Sequence, residues 1–153
     1  LTVPSNYQTH IDTAQILKSQ LEKIGVTVEI QLVEWAQWLE NVYNNAQYES
    51  TVIGHSGKLD PQDFLNRFTT TYEKNYFKYS NEEYDAKIAE AASVTDETKR
   101  AEIYKECQQK LADDAASVFI QDPSINYAVR NTITGMQIYP VTFFDMGSLR
   151  MAE

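Results

Sequence analysis

Between Leu1 and Ile53 the hydrophobic period of the chain switches repeatedly between that of a strand and that of a helix, and this alternation narrows the fold most. Leu1-Thr2-Val3 reads as a strand closed by Pro4. From Thr9 to Ile24, the residues Ile11, Ala14, Leu17, Leu21 and Ile24 fall three or four apart, which is one helical face. Gly25 follows and suits the left-handed position after a helix. Val26, Val28, Ile30 and Leu32 then alternate with Thr27, Glu29 and Gln31, as in a half-buried strand. A second helix, about Glu34 to Asn44, places Trp35, Trp38, Leu39 and Val42 on one side, and Ser50 to Ile53 reads as a third strand. Strand, helix, strand, helix, strand is the pattern of a parallel sheet with helical crossovers, so the expected class is α/β.

The stretch Gly54-His55-Ser56-Gly57-Lys58-Leu59-Asp60-Pro61 leaves the carboxyl end of that third strand. Ligands of open α/β sheets bind in the crevice beyond such ends. Asp60 and Pro61 suit the cap and first residue of a helix carrying Phe64, Leu65 and Phe68. Ser80 and Glu83 form a capping box before a helix with Tyr84, Ile88 and Ala91 inward. Thr95 is the expected cap of another helix, acidic in its first turn, that runs to about Asp114 with Ile103, Tyr104, Cys107 and Leu111 inward. Ser117 to Ile120 and Ile125 to Val129 read as further strands. Arg130 to Glu153 holds apolar residues without a period, and such a segment needs something to pack against.

Composition removes several functions. A chain of 153 residues suits one domain, and a net charge of −9 argues against a nucleic-acid partner, which clustered Lys and Arg would attract. A single cysteine excludes an intrachain disulfide, and Cys107 on an apolar helical face reads as core. No run approaches the ~20 apolar residues of a membrane span. No signal peptide is visible, and a start at Leu1 inside a strand reads as a piece of something longer. There is no phosphate-cradling glycine loop, no zinc-type Cys/His spacing and no nucleophile elbow, so neither a cofactor nor a metal nor a catalytic set is expected. His10 and His55 each follow a strand, which leaves open whether they meet. Trp35 either packs against the sheet or rims a cleft, where a flat ring can stack on a ligand.

Several stretches in order resemble the carboxyl-terminal lobe of family 5 extracellular solute-binding proteins, the peptide, nickel, opine and oligosaccharide receptors of ABC importers. They are Ala14 to Val26, Val33-Glu34-Trp35-Ala36-Gln37-Trp38-Leu39, Gly54 to Phe64, Tyr79 to Asp85 and Thr95 to Tyr104. The resemblance implies a periplasmic-binding-protein-like lobe, a small mixed sheet flanked by helices, cut from a two-lobe protein that closes on its solute. It implies that residues 1–130 form that lobe and that 131–153 return to a missing amino-terminal lobe. It further implies delivery of a small solute or short peptide to a membrane ABC permease, and a place in the periplasm or, as a lipoprotein, on the outer face of the membrane.

The site expected from this resemblance is Trp35, His55, Ser56, Gly57 and Lys58. Peptide-binding relatives carry an Asp here that pairs with the peptide ammonium, because a charge in a cleft needs a partner. That place falls on Lys58 counted forward from Gly54 and on Gly57 counted back from Asp60, and neither is acidic. The Trp common after the first Gly is His55. A peptide held by backbone contacts therefore stands beside a non-peptide solute such as an oligosaccharide, an opine or a nickel chelate. A small α/β enzyme or a protein-interaction module are the alternatives of another class.

Overall fold

The first strand, β1 (Thr2–Pro4), is the centre of a parallel ladder. The computed structural model describes residues 1–141 and 143–152. From β1 the chain enters helix α1 (Gln8–Glu22) and returns as β2 (Gln31–Val33), which pairs with β1 in parallel, Val3 opposite Leu32. On its other side β1 meets Thr51 in a single parallel bridge, with Thr2 N–H donating to the Ser50 carbonyl at 2.9 Å. The expected order of elements is present, but the ladders are shorter than expected. The alternating stretch Val26 to Leu32 pairs only where β1 faces it, and the expected strand Ser50 to Ile53 contracts to that one bridge. There the Thr51 hydroxyl donates to the Thr2 carbonyl at 2.7 Å and accepts the Trp38 indole N–H at 3.0 Å. Side chains thus hold together an edge that backbone pairing alone would leave short.

Helix α1 ends as its sequence dictates. Gly25 has φ +84°, Gly25 N–H donates to the Glu22 carbonyl, and Val26 N–H donates to that of Leu21 at 3.0 Å. This pair of bonds is the Schellman motif, which needs a left-handed residue where glycine carries no Cβ penalty. Ile24, expected inward, lies beyond the sheet edge and is 74% exposed, while Ala14 is buried against Val3 and Val52.

Helix α2 (Trp35–Trp38) widens into a π-helical turn, Leu39–Asn44, and buries Trp38 and Val42 with Tyr76. Helix α3 (Gln62–Leu65) runs into a 3-10 turn, Asn66–Phe68. Helices α4 (Glu82–Ser93) and α5 (Glu97–Asp113) pack together over a core of Leu65, Phe68, Tyr84, Ile88, Tyr104, Cys107 and Leu111. Their caps sit one residue later than expected. Asn81, not Ser80, accepts from Glu83 and Tyr84 N–H, because the Ser80 hydroxyl is 3.1 Å from that of Thr70. Asp96, not Thr95, accepts from Lys99 N–H at 2.9 Å, a charged acceptor at the positive end of the helix dipole.

Beyond α5 the expectation of strands fails. Residues 117–120 and 125–129 form no strand and pair with none among the described residues. Strand propensity is local whereas a ladder needs a partner, and neither stretch lies against β1, whose two sides meet β2 and Thr51. A second, antiparallel ladder joins β3 (Ile133–Thr134) to β4 (Arg150–Met151). Gly135, at φ +81°, lies so close to Ser148 that an added Cβ would stand 2.2 Å from its carbonyl oxygen. Within the expected return segment, residues 131–153, Thr142 and Glu153 lie outside the described residues.

Candidate functional site

The bridge at Thr51 ends the sheet, and the chain beyond it, residues 52–58, forms neither helix nor strand and lines one side of a cleft of about 940 Å³. The other side is the stretch from Ala116 to Pro123, placed there by the end of α5. That end has Ala116 N–H donating to the Leu111 carbonyl, with Ala115 in the left-handed region at φ +50°. Beyond Val52, whose N–H closes the bridge at Thr51, neither 53–59 nor 117–129 makes a backbone–backbone hydrogen bond among the described residues. The cleft therefore lies between two stretches, 53–58 and 117–122, whose backbone donors and acceptors are free of backbone partners among the described residues.

Of the expected residues, His55, Ser56, Gly57 and Lys58 border this cleft together. Trp35 does not. It stacks on Trp38 with ring centroids 5.3 Å apart and takes the edge of Tyr7 at 5.5 Å, because a helix one turn long presents both indoles to the same side. Tyr7 in turn lies 5.0 Å from His10, which does border the cleft. The two histidines thus share one cleft. His10 fits against Gly54, where a Cβ would stand 3.1 Å from His10 Nε2.

The floor is aromatic. His55 Nε2 and the Tyr76 hydroxyl share a hydrogen bond of 2.8 Å, and the Tyr48 hydroxyl donates to the Tyr76 carbonyl at 2.7 Å. The His55 ring is open to the cleft on one edge and otherwise packs near Phe64, Tyr76 and Phe77. That loss of hydration, with the positive charge of Arg67 nearby, pushes its pKa down to about 4, so the ring is neutral at physiological pH. Burial also lowers the pKa of His10 and raises that of Tyr76 well above the usual tyrosine range. The charged groups on the cleft lining are Glu49, Lys58 and Asp122.

Asp60 anchors the far end of the loop. Its carboxylate accepts from Gln62 N–H at 2.9 Å and from Arg100 Nη2 on α5 at 2.6 Å, and the Arg100 bond is the main reason its pKa is lowered. Asp60 is thus the helix cap expected and also a tie between the loop and α5. Asp114, just past the end of α5, accepts from the Tyr79 hydroxyl at 2.6 Å and from Asn81 Nδ2 at 2.8 Å. Sequence reasoning missed the 116–123 wall and Tyr76. The dense aromatics of Tyr72 to Tyr79 were the one signal for the latter.

Among the described residues, no three or more His, Cys, Asp or Glu side chains converge as metal ligands. No helix among them is long and apolar enough to cross a membrane.

Residues 1–76 match the model of the bacterial extracellular solute-binding proteins, family 5 Middle. The chain is 29% identical over 132 residues to the oligopeptide-binding protein AppA of Bacillus subtilis (strain 168), covering 84% of this chain and 24% of that protein. It is 25% identical over 136 residues to the dipeptide-binding protein of Escherichia coli (strain K12), covering 84% of this chain and 25% of that protein. It therefore spans about a quarter of the length of these curated relatives. Among solved structures, that of AppA from Bacillus subtilis in complex with a nonapeptide superposes with a TM-score of 0.84 at 25% identity, over 99% of this chain and 31% of that one. The oligopeptide-binding protein OppAIV of Borrelia burgdorferi gives 0.81 at 26% identity, with the same coverage of both chains.

Proposed function

We propose that this chain, a member of family 5 of the bacterial extracellular solute-binding proteins, supplies one side of a cleft that captures a peptide for an ABC importer. The observation that carries this reading is the pair of stretches outside helix and strand, 53–58 and 117–122, that border the cleft without a backbone–backbone hydrogen bond among the described residues. An extended peptide between them satisfies those groups by strand addition, a mode in which backbone bonds supply affinity whatever the side chains. Relatives named for oligopeptides and dipeptides support the same solute class. Those relatives are binding proteins, and the reading is of capture without catalysis.

Residues 1–130 are the lobe in this reading, and 131–153 cross to a second lobe of the same protein. The exposed apolar side chains of Ile138, Phe143, Phe144 and Met146 support that crossing. Ligand binding stabilises the closed pair of lobes, and the closed receptor delivers its solute to a membrane permease. The family description supports a place outside the cytoplasm, in the periplasm or on the outer membrane face through a lipid anchor.

A second reading rests on the loop itself. His55, Ser56, Gly57 and Lys58 include a cation and no carboxylate, which suits an anionic or amino-blocked solute better than a free peptide ammonium. Calorimetric titration of the whole receptor with free and amino-acetylated peptides separates the two. Peptide capture predicts binding of both forms, and His55→Ala with Lys58→Ala then weakens affinity by about tenfold. Absence of binding by any peptide overturns the proposal, and unchanged affinity in the double variant removes this loop from the site.

A further inference from the structure

One wall of the cleft is aromatic. Phe68 and Phe77 stack with centroids 4.1 Å apart and planes 20° apart. Phe64 meets Phe68 edge-on at 5.9 Å, and His55 meets Phe64 edge-on at 5.3 Å. Phe119 reaches toward the same wall from the opposite stretch, 6.4 Å from Phe68. All five rings border the cleft. Phe68 is buried and backs the wall, Phe64 and Phe77 are half-buried, and Phe119 is 56% exposed.

We infer that this wall is a specificity-determining subsite of the cleft, one that takes an aromatic or bulky aliphatic side chain of the bound peptide and disfavours a cationic one. The inference rests on the peptide-capture reading and adds the side-chain class. Rings with open edges gain most from a second flat or branched apolar group, through offset and edge-to-face packing. An ammonium placed there would shed water without gaining a partner, since none of the five side chains carries a negative charge and the Arg67 cation lies near His55. His55 commits Nε2 to Tyr76, and its remaining Nδ1 edge is polar but uncharged, so it supplies no counter-charge to a cation.

The test uses the whole receptor and pentapeptides of alanine carrying a single Phe, Leu or Lys, scanned through every position. At one position Phe and Leu bind about tenfold or more tighter than Lys, the gain expected from burying one large apolar side chain. Phe119→Ala, at a ring that is more than half exposed, brings that ratio to within about threefold, and Phe119→Leu retains it, with melting curves confirming the fold of both. Peptides that bind with no discrimination at any position overturn the inference and leave peptide capture standing. Discrimination that survives in Phe119→Ala also overturns it, because another surface then reads the side chain. If no peptide binds, both fall.

Discussion

His55 Nε2 stands 2.8 Å from the Tyr76 hydroxyl, and that bond ties the loop beyond the sheet to the aromatic core beneath it. Tyr76 belongs to the cluster of Trp38 and Val42, and Phe77 packs against both this cluster and the one formed by α3, α4 and α5. The loop is therefore positioned by two cores at once.

The same pair sets a pH dependence. His55 is neutral in the fold, with its pKa lowered to about 4, whereas an unfolded histidine titrates near its model value of 6.5. Between those values the unfolded chain binds more protons, so stability rises with pH there. The contribution is complete above the unfolded value and is lost as pH falls through the folded one. Melting temperatures measured from pH 7 to pH 4 will fall further for the native protein than for His55→Gln, and parallel curves would refute this.

Cys107 should be silent toward thiol reagents. It is fully buried between α4 and α5, and burial pushes its thiol pKa up to about 11. Alkylation by iodoacetamide at neutral pH is expected only after unfolding. Modification of the folded protein at the rate of a free thiol would show that this helix pair opens.

Ala115 holds a left-handed conformation at φ +50° where α5 hands over to the cleft wall. A Cβ in that region costs about 1 kcal/mol, so Ala115→Gly is expected to stabilise by up to about 1 kcal/mol, less the added freedom of the unfolded chain. Urea unfolding measures this directly. A loss of stability would mean that the Ala115 methyl makes contacts worth more than the strain.

Tyr84 is fully buried and donates its hydroxyl to the Leu65 carbonyl at 2.6 Å. Tyr84→Phe keeps the ring and strands the carbonyl, a change expected to cost about 1 kcal/mol. An unchanged urea midpoint would mean that Leu65 finds another donor.

What the sequence made legible was local. Gly25 announced its own conformation, and the period of Ile11, Ala14 and Leu17 announced a buried face, because neither depends on distant partners. Asp60 was legible as a cap but not as the partner of Arg100, which lies 40 residues on. Val118, Phe119 and Ile120 looked like a strand because strand propensity is read residue by residue, whereas pairing needs an edge elsewhere in the chain. The loop from His55 to Lys58 was placed correctly at the end of the sheet, but its opposite wall was not, since nothing in residues 116–123 signals what they face. Trp35 carried an ambiguity between packing and rimming a cleft, and to it the structure adds a stack on Trp38 that the sequence did not announce.

The central claim is that residues 53–58 and 117–122 grip the backbone of a peptide. Hydrogen–deuterium exchange of the whole receptor, with and without a saturating peptide, reads those amides directly. The account predicts strong slowing in both stretches on peptide addition, with little change inside α4. Peptide binding that leaves the exchange of both stretches unchanged would contradict it.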